Sequence, residues 1–321
     1  MIGKSTDYSE FHDELRSVAG DLLAKDREVT WPVLVDAGWV GLEVAEQFGG
    51  ASATFAEVAV VCEEIGRAAS ANSYLGSAVL AVGTLNALQS SDIRDSLLTD
   101  VTSGAIRVAV ALESDYVPDA EGVDKVLVVT DEGVAITTPV VTAQPVLDET
   151  RRLATVTAAA DTAEVLCQFD GEPIEAIRRL RNRAAVAVAC DSLGVSEAML
   201  AATVGYAKVR EQFGRPIGSF QAVKHACADM LVEISVSRQL VGAAVQAIVD
   251  DEPDAEVATA MAKSHACARA VDITGKAMQL HGGIGYTWES GIHVYLKRAA
   301  LNRSLFGSPA AHRKRLAQRY L

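Results

Sequence analysis

The chain has 321 residues, half of them hydrophobic and only 5% aromatic, with a formal net charge of -13. That length supports two or three packed units around a substantial core, which Ala, Val and Leu must fill and which suits close helix packing. The acidic balance argues against nucleic-acid binding, because phosphate contacts need a basic surface.

Residues 1–103 read mainly as helices. From Phe55 to Ala69 apolar residues recur at helical spacing (Phe55, Val58, Val61, Cys62, Ile65), and Phe48-Gly49-Gly50 marks a turn before them. Residues 104–172 change period. Arg107–Leu112, Lys125–Thr130, Val134–Thr138 and Leu153–Ala159 are short, rich in β-branched residues and separated by turn residues, the pattern of strands in a small β domain.

Residues 173–321 are helical again, with helices expected over 184–209, 220–249, 254–281 and 291–303. Val223, Cys227, Met230, Leu231, Ile234, Val241, Ala244, Val245 and Ile248 keep a three- or four-residue spacing, and Asp251-Glu252-Pro253-Asp254 breaks the pattern. These elements predict an antiparallel four-helix bundle. Ser308-Pro309 reads as a turn that starts a further helix.

After Glu289 the chain has no acidic residue but seven basic ones, Lys297, Arg298, Arg303, Arg313, Lys314, Arg315 and Arg319. The expected role is a solvated helix end favoured by the helix dipole. Five scattered cysteines lack metal-ligand spacing, and four lie in apolar helical patterns, where a thiol is a small core residue. The six histidines are too dispersed for a metal site, and none is predicted. No signal peptide and no apolar run of membrane-spanning length is evident, so a cytoplasmic protein without a membrane span is expected.

Two segments carry chemistry. In Val209-Arg210-Glu211-Gln212-Phe213-Gly214-Arg215-Pro216-Ile217 an arginine ends a helix before a Gly/Pro turn. Its guanidinium could fork onto a diphosphate, or merely sit on the helix dipole. In Gln279-Leu280-His281-Gly282-Gly283-Ile284-Gly285 a glycine turn closes a long helix. It could offer backbone N–H groups to phosphate, or be an ordinary glycine cap.

Both segments, with Phe220-Gln221 and with Ala37-Gly38-Trp39-Val40-Gly41-Leu42 near the start, resemble the acyl-CoA dehydrogenase family in order and over nearly the whole chain. The resemblance implies a mostly α fold: an N-terminal helical domain, a trimmed β domain and a C-terminal bundle. It implies FAD, with Arg210, Gln212, Phe213, Gln221, Gln279, Gly282 and Gly283 meeting the diphosphate and adenosine part of a flavin held mainly by a neighbouring subunit.

Other family features are missing. Family members remove a proton beside the thioester with a carboxylate, in most of them a glutamate in a turn after the glycine segment. Here Phe306, in Leu305-Phe306-Gly307-Ser308, stands at that position, and no catalytic residue is assigned to this chain. The alternative base position, around Arg183-Ala184-Ala185-Val186, has no carboxylate either. Asp191 lies on an apolar helix where burial raises a carboxyl pKa, and pairing with an arginine is its expected role. Glu289 is not taken as a base. The ring-contacting loop of the β domain looks deleted, because Leu112-Glu113-Ser114 runs almost directly into Tyr116-Val117-Pro118, while Asp148-Glu149-Thr150-Arg151-Arg152-Leu153 persists.

This uneven resemblance looks like the short subunit of actinobacterial heteromeric, steroid-catabolic acyl-CoA dehydrogenases. It implies a full-length partner subunit in an α2β2 heterotetramer, an acyl-CoA substrate and an electron-transfer protein. A homomeric enzyme with a relocated base, a non-catalytic assembly subunit and a flavin monooxygenase are the competing readings.

Overall fold

A computed structural model describes residues 9–112, 116–158 and 165–319. The Glu113-Ser114 end of the shortened connection and Ala159 of the last expected strand lie outside these.

The chain opens with α1 (Ser9–Leu23) and α2 (Trp31–Asp36), followed by α3 (Phe55–Ala68). Thr54 caps α3: its hydroxyl accepts the Ala56 N–H at 3.1 Å, and Glu57 accepts the Thr54 N–H at 2.7 Å. Such a reciprocal cap satisfies donors that a helix start leaves free. Next comes Leu75–Val82, wound as a π-helix and running into α4 (Gly83–Asn86), then α5 (Asp92–Thr102).

The β region holds two small sheets. Strand β1 (Val108–Ala111) pairs in parallel with β3 (Lys125–Thr130), which continues antiparallel to β4 (Gly133–Thr137) and β7 (Val165–Cys167). The second sheet has the order β2 (Val117–Pro118), β6 (Leu153–Ala158), β5 (Pro139–Gln144), all antiparallel. Ala109, Val117, Ala120, Val126 and Ala154 form a small core for this region. Three strands, β2, β5 and β7, were not anticipated by sequence pattern.

The long helices follow: α6 (Pro173–Val209), α7 (Gln221–Val249), α8 (Ala255–Leu280), α9 (Ile292–Ser304) and α10 (Pro309–Gln318). Helix α6 starts eleven residues before the expected 184, with Pro173 in its first turn, where a missing N–H costs nothing. It crosses α3 at very close range. A Cβ on Gly66 would meet the Asp191 carbonyl oxygen at 2.0 Å, and one on Gly194 would meet the Glu63 carbonyl oxygen at 1.9 Å. The expectation that no apolar run reaches membrane-spanning length needs correction. Helices α6 and α7 are both long and apolar enough. Both pack in the bundle, α6 against α3 and α8, and α7 through Met230, Ile234, Val241, Ala244 and Ala247.

Candidate functional site

Arg210 leaves α6 in extended backbone (φ −74°, ψ 121°), with its N–H still bonded to the Tyr206 carbonyl at 2.9 Å. Strands β8 (Glu211–Gln212) and β9 (Arg215–Pro216) then pair as a minimal hairpin. Its turn residues, Phe213 and Gly214, have φ 55° and 75°. Two positive φ angles define the tight hairpin turn whose twist matches its strands. Glycine adopts that conformation freely, but a bulky side chain there is an outlier. Phe213 is nonetheless 92% exposed. Its ring meets Phe220 edge-on, centroids 6.0 Å apart, and the Arg215 guanidinium lies 4.2 Å from the Phe220 ring centre. The Ile217 N–H donates to the Arg210 carbonyl at 2.7 Å and closes the hairpin onto the helix end.

The second segment sits at the same end of the bundle. Helices α6 and α8 run in the same direction, and Tyr206 stacks on His281 with centroids 4.4 Å apart and planes 22° from parallel. His281 also bonds the Ala277 carbonyl at 2.8 Å, which fixes the ring at the end of α8. The glycine turn then divides by role. A Cβ on Gly285 would lie 2.3 Å from the Met278 carbonyl oxygen, so Gly285 is required by packing. On Gly214, Gly282 or Gly283 it would meet nothing within 4 Å, so the backbone there faces open space. Arg210, Gln212, Gln221 and Gln279 are exposed beside it. Among the described residues, no carboxylate pairs with the Arg210 or Arg215 guanidinium. The seven predicted contact residues thus lie on the hairpin, on the first residue of α7 and at the end of α8.

Phe306 occupies the turn between α9 and α10, at φ 53°. Buried groups pin this turn from below. The Lys263 ammonium, fully buried, donates to the Asn302 carbonyl at 2.8 Å and the Gly307 carbonyl at 3.0 Å. His312 Nε2 donates to the Phe306 carbonyl at 3.0 Å. No carboxylate stands at the turn itself. Lys263 and His312 could not have been found by periodicity, since each looks like any polar residue on a helix.

Asp191 is buried at the centre of a charged network. Arg298 forks onto it at 2.6 and 3.1 Å, Arg151 donates at 3.0 Å and Asn302 at 2.6 Å. Arg298 also holds the Ser70 and Thr150 carbonyls, at 3.0 and 3.2 Å, so the network joins the helices to the β region. Burial pushes the Asp191 carboxyl pKa up, but Arg298 and Arg151 outweigh it, and the net direction is down. The pairing with arginine expected for Asp191 is therefore found. The solvated role expected for the basic C-terminal run needs correction at Arg298, which is fully buried, and at Lys297, which is half-buried and reaches Glu149 at 3.4 Å. The other five, Arg303, Arg313, Lys314, Arg315 and Arg319, are exposed as expected.

At the alternative base position, Arg183 pairs with Glu43 and donates to the Val79 carbonyl, in the π-helix, at 2.6 Å. Glu289 is exposed in the turn after the glycines. Burial pushes the Cys62 thiol up to about 12, and Cys190 well up too, which makes both inert packing residues. A large cleft, about 690 Å³, lies between the starts of α3 and α6, α4 and the α7–α8 connection.

Residues 174–321 match the acyl-CoA dehydrogenase C-terminal domain, and residues 10–105 match the acyl-CoA dehydrogenase N-terminal domain. The chain belongs to the acyl-CoA dehydrogenase family, whose members are flavin-dependent oxidoreductases with FAD as cofactor. Among curated relatives, Acyl-CoA dehydrogenase IpdE2 of Mycobacterium tuberculosis is 35% identical over 300 residues, covering 92% of this chain and 88% of its own. Among solved structures, the Tcur3481-Tcur3483 steroid acyl-CoA dehydrogenase G363A variant superposes with a TM-score of 0.85 at 24% identity, covering 97% of both chains. The ChsE4-ChsE5 complex from Mycobacterium tuberculosis gives 0.80 at 23% identity, covering 99% of this chain and 98% of that one. These two likenesses concern the fold.

Proposed function

We propose that this chain is the cofactor-completing subunit of a heteromeric acyl-CoA dehydrogenase, which desaturates the α,β bond of an acyl-CoA thioester. FAD, when bound, supplies the acceptor for the hydride. In this reading Arg210 forks onto the diphosphate. Gln212, Phe213 and Gln221 meet the adenosine side, and Gln279 with the Gly282 and Gly283 backbone closes the other flank. The open space over Gly214, Gly282 and Gly283, next to an arginine with no carboxylate partner among the described residues, suits a phosphate-bearing ligand. A full-length partner subunit supplies the carboxylate base, the ring pocket and the CoA site, and the pair assembles as α2β2.

The observation that carries this division of labour is the α9–α10 turn, built and pinned but bearing Phe306. A phenyl ring accepts no proton. The large cleft supports the same reading. Its lining has five carboxylate residues against two arginines, Arg179 and Arg183, and both arginines are already paired, with Asp251 and Glu43. Such a lining repels the phosphates of CoA. The cleft is also remote from Arg210, since residues 183 and 210 of one helix are about 40 Å apart.

The same reading divides the chain at 1–103, 104–172 and 173–321, and places it in the cytoplasm with electrons passing to an electron-transfer protein. The relatives whose names mention a steroid enzyme or a two-protein complex make a steroid-derived acyl group the first substrate to try. The chain expressed alone should be colourless or poorly soluble. Expressed with its full-length partner it should purify yellow, with one flavin per pair. A stoichiometric flavin in the single chain would overturn the proposal. In the complex, Arg210→Ala should weaken flavin retention by roughly 1.5–3 kcal/mol, the worth of a charged hydrogen-bonded contact. Spectra after dilution and gel filtration read this out.

A further inference from the structure

The hairpin carries a feature that flavin binding by Arg210 does not itself require. Phe213 sits in a left-handed turn conformation that phenylalanine disfavours, and its ring is almost wholly exposed. Strain of this kind persists only where surrounding structure enforces it. The hairpin pairing of Gln212 with Arg215 enforces the backbone conformation, and a chain of three side chains sets the direction of the ring. The Arg215 guanidinium lies 4.2 Å from the centre of the Phe220 ring, and Phe220 meets Phe213 edge-on at 83° with centroids 6.0 Å apart. Arg215 also pairs directly across the hairpin with Gln212. Phe220 in turn precedes α7, and its N–H donates to the Ile217 carbonyl at 3.1 Å, so the middle ring is anchored to the helix start.

We propose that Arg215 is a positioning residue for the cofactor. By lying on Phe220 it holds that ring against Phe213, and so presents the Phe213 ring as a preformed flat platform for the adenine of FAD. The inference rests on the assignment of this end of the bundle to the cofactor and adds the residue that sets the geometry. Cation–π contact at an exposed site is modest, and aromatic–base stacking is the larger contribution that depends on it. An arginine that only solvated the hairpin would have no reason to face a ring, and a carboxylate partner would pull it away. Among the described residues it has none.

The test uses the assembled complex, stripped of flavin and titrated with FAD, ADP and FMN. ADP probes the adenosine half alone, and FMN lacks it. Arg215→Ala should weaken FAD and ADP by about three- to tenfold and leave FMN unchanged. Arg215→Lys, which keeps a cation over the ring, should restore most of the loss. With 4-fluorophenylalanine at position 213, the fluorine resonance should move in Arg215→Ala and return in Arg215→Lys. Unchanged FAD and ADP affinity with an unmoved fluorine line would overturn the proposal, and so would equal weakening of all three ligands, which marks a general folding defect. Arg210→Ala serves as the reference. If it weakens FAD and Arg215→Ala does not, only the positioning role fails. If neither does, the cofactor assignment of the whole hairpin fails with it.

Discussion

His312 is buried, and because a carbonyl can only accept, its Nε2 carries the proton it gives to Phe306. Burial pushes this imidazole down to about 4, with Lys263 and Arg315 adding to the effect. In an unfolded chain it would titrate near 6.5. Between those values the unfolded chain binds a proton that the folded one refuses, so stability is full above about 6.5 and falls as the pH drops toward 4. The loss approaches roughly 3 kcal/mol at the acid end. Urea midpoints at pH 7.5, 6 and 5 should show this slope, and His312→Gln should flatten it. Asp191 acts in a different window. Its folded pKa is lowered, so its contribution is present above the ordinary carboxylate value and is lost as pH falls through the lower folded one. Asp191→Asn leaves two buried guanidiniums without their shared charge. It should cost about 3–5 kcal/mol at neutral pH, read as a lowered thermal midpoint.

At the scale of elements, the α3–α6 crossing is set by glycine on both helices. A methyl group on Gly194 would overlap the Glu63 carbonyl, which is backbone and cannot swing aside. Gly194→Ala should therefore force the helices apart and destabilise the protein by about 3 kcal/mol, the upper end of overpacking costs. An unchanged unfolding midpoint would show that the crossing is looser than its geometry implies. Elements of this kind differ in how far sequence betrays them. Helix α3 was legible from apolar residues at helical spacing, and strands β1, β3, β4 and β6 from short runs rich in β-branched residues between turn residues. The first turns of α6 were not, since Arg178, Arg179, Arg181 and Arg183 interrupt the period there, two of them to reach distant carboxylates. Strand β5 alternates half-buried and exposed residues on a sheet edge and carries little apolar signal. A π-helix has no sequence signature at Leu75–Val82, an apolar run that would suit an ordinary buried helix equally well. At the candidate site, resemblance singled out the hairpin and the glycine turn, and the structure places both at one end of the bundle, while the cofactor role of Arg210 and Gln279 is the proposal made above. The Tyr206–His281 stack that joins them is tertiary, and the Arg215–Phe220 contact is local but depends on how the hairpin folds back on the start of α7, so no spacing announces either.

For the whole molecule, the question is where the proton-abstracting group resides. Within the described residues of this chain, Asp191 is locked between two arginines, Glu43 is bound to Arg183 and Glu197 is shared by Arg67 and Arg238. The two guanidiniums hold the Asp191 carboxyl below the ordinary carboxylate range, which makes it a poor base for a carbon acid, and the oxygens of Glu43 and Glu197 are taken up by arginines. Glu289 remains as an exposed carboxylate in the turn after the glycines. In the assembled complex, Glu289→Gln should keep most of its turnover with an artificial electron acceptor. Asp191→Asn should lose stability yet keep turnover per bound flavin, measured well below its own unfolding midpoint. Under the proposed division, removing the glutamate that the partner would carry at the corresponding turn should abolish turnover, because a placed general base contributes roughly 10²–10⁴-fold. Flavin content must be measured in every variant, since a lost cofactor would imitate a lost base. A drop of that size in Glu289→Gln or Asp191→Asn, with flavin retained, would place the base in this chain and make the enzyme's two subunits chemically different from the division proposed above.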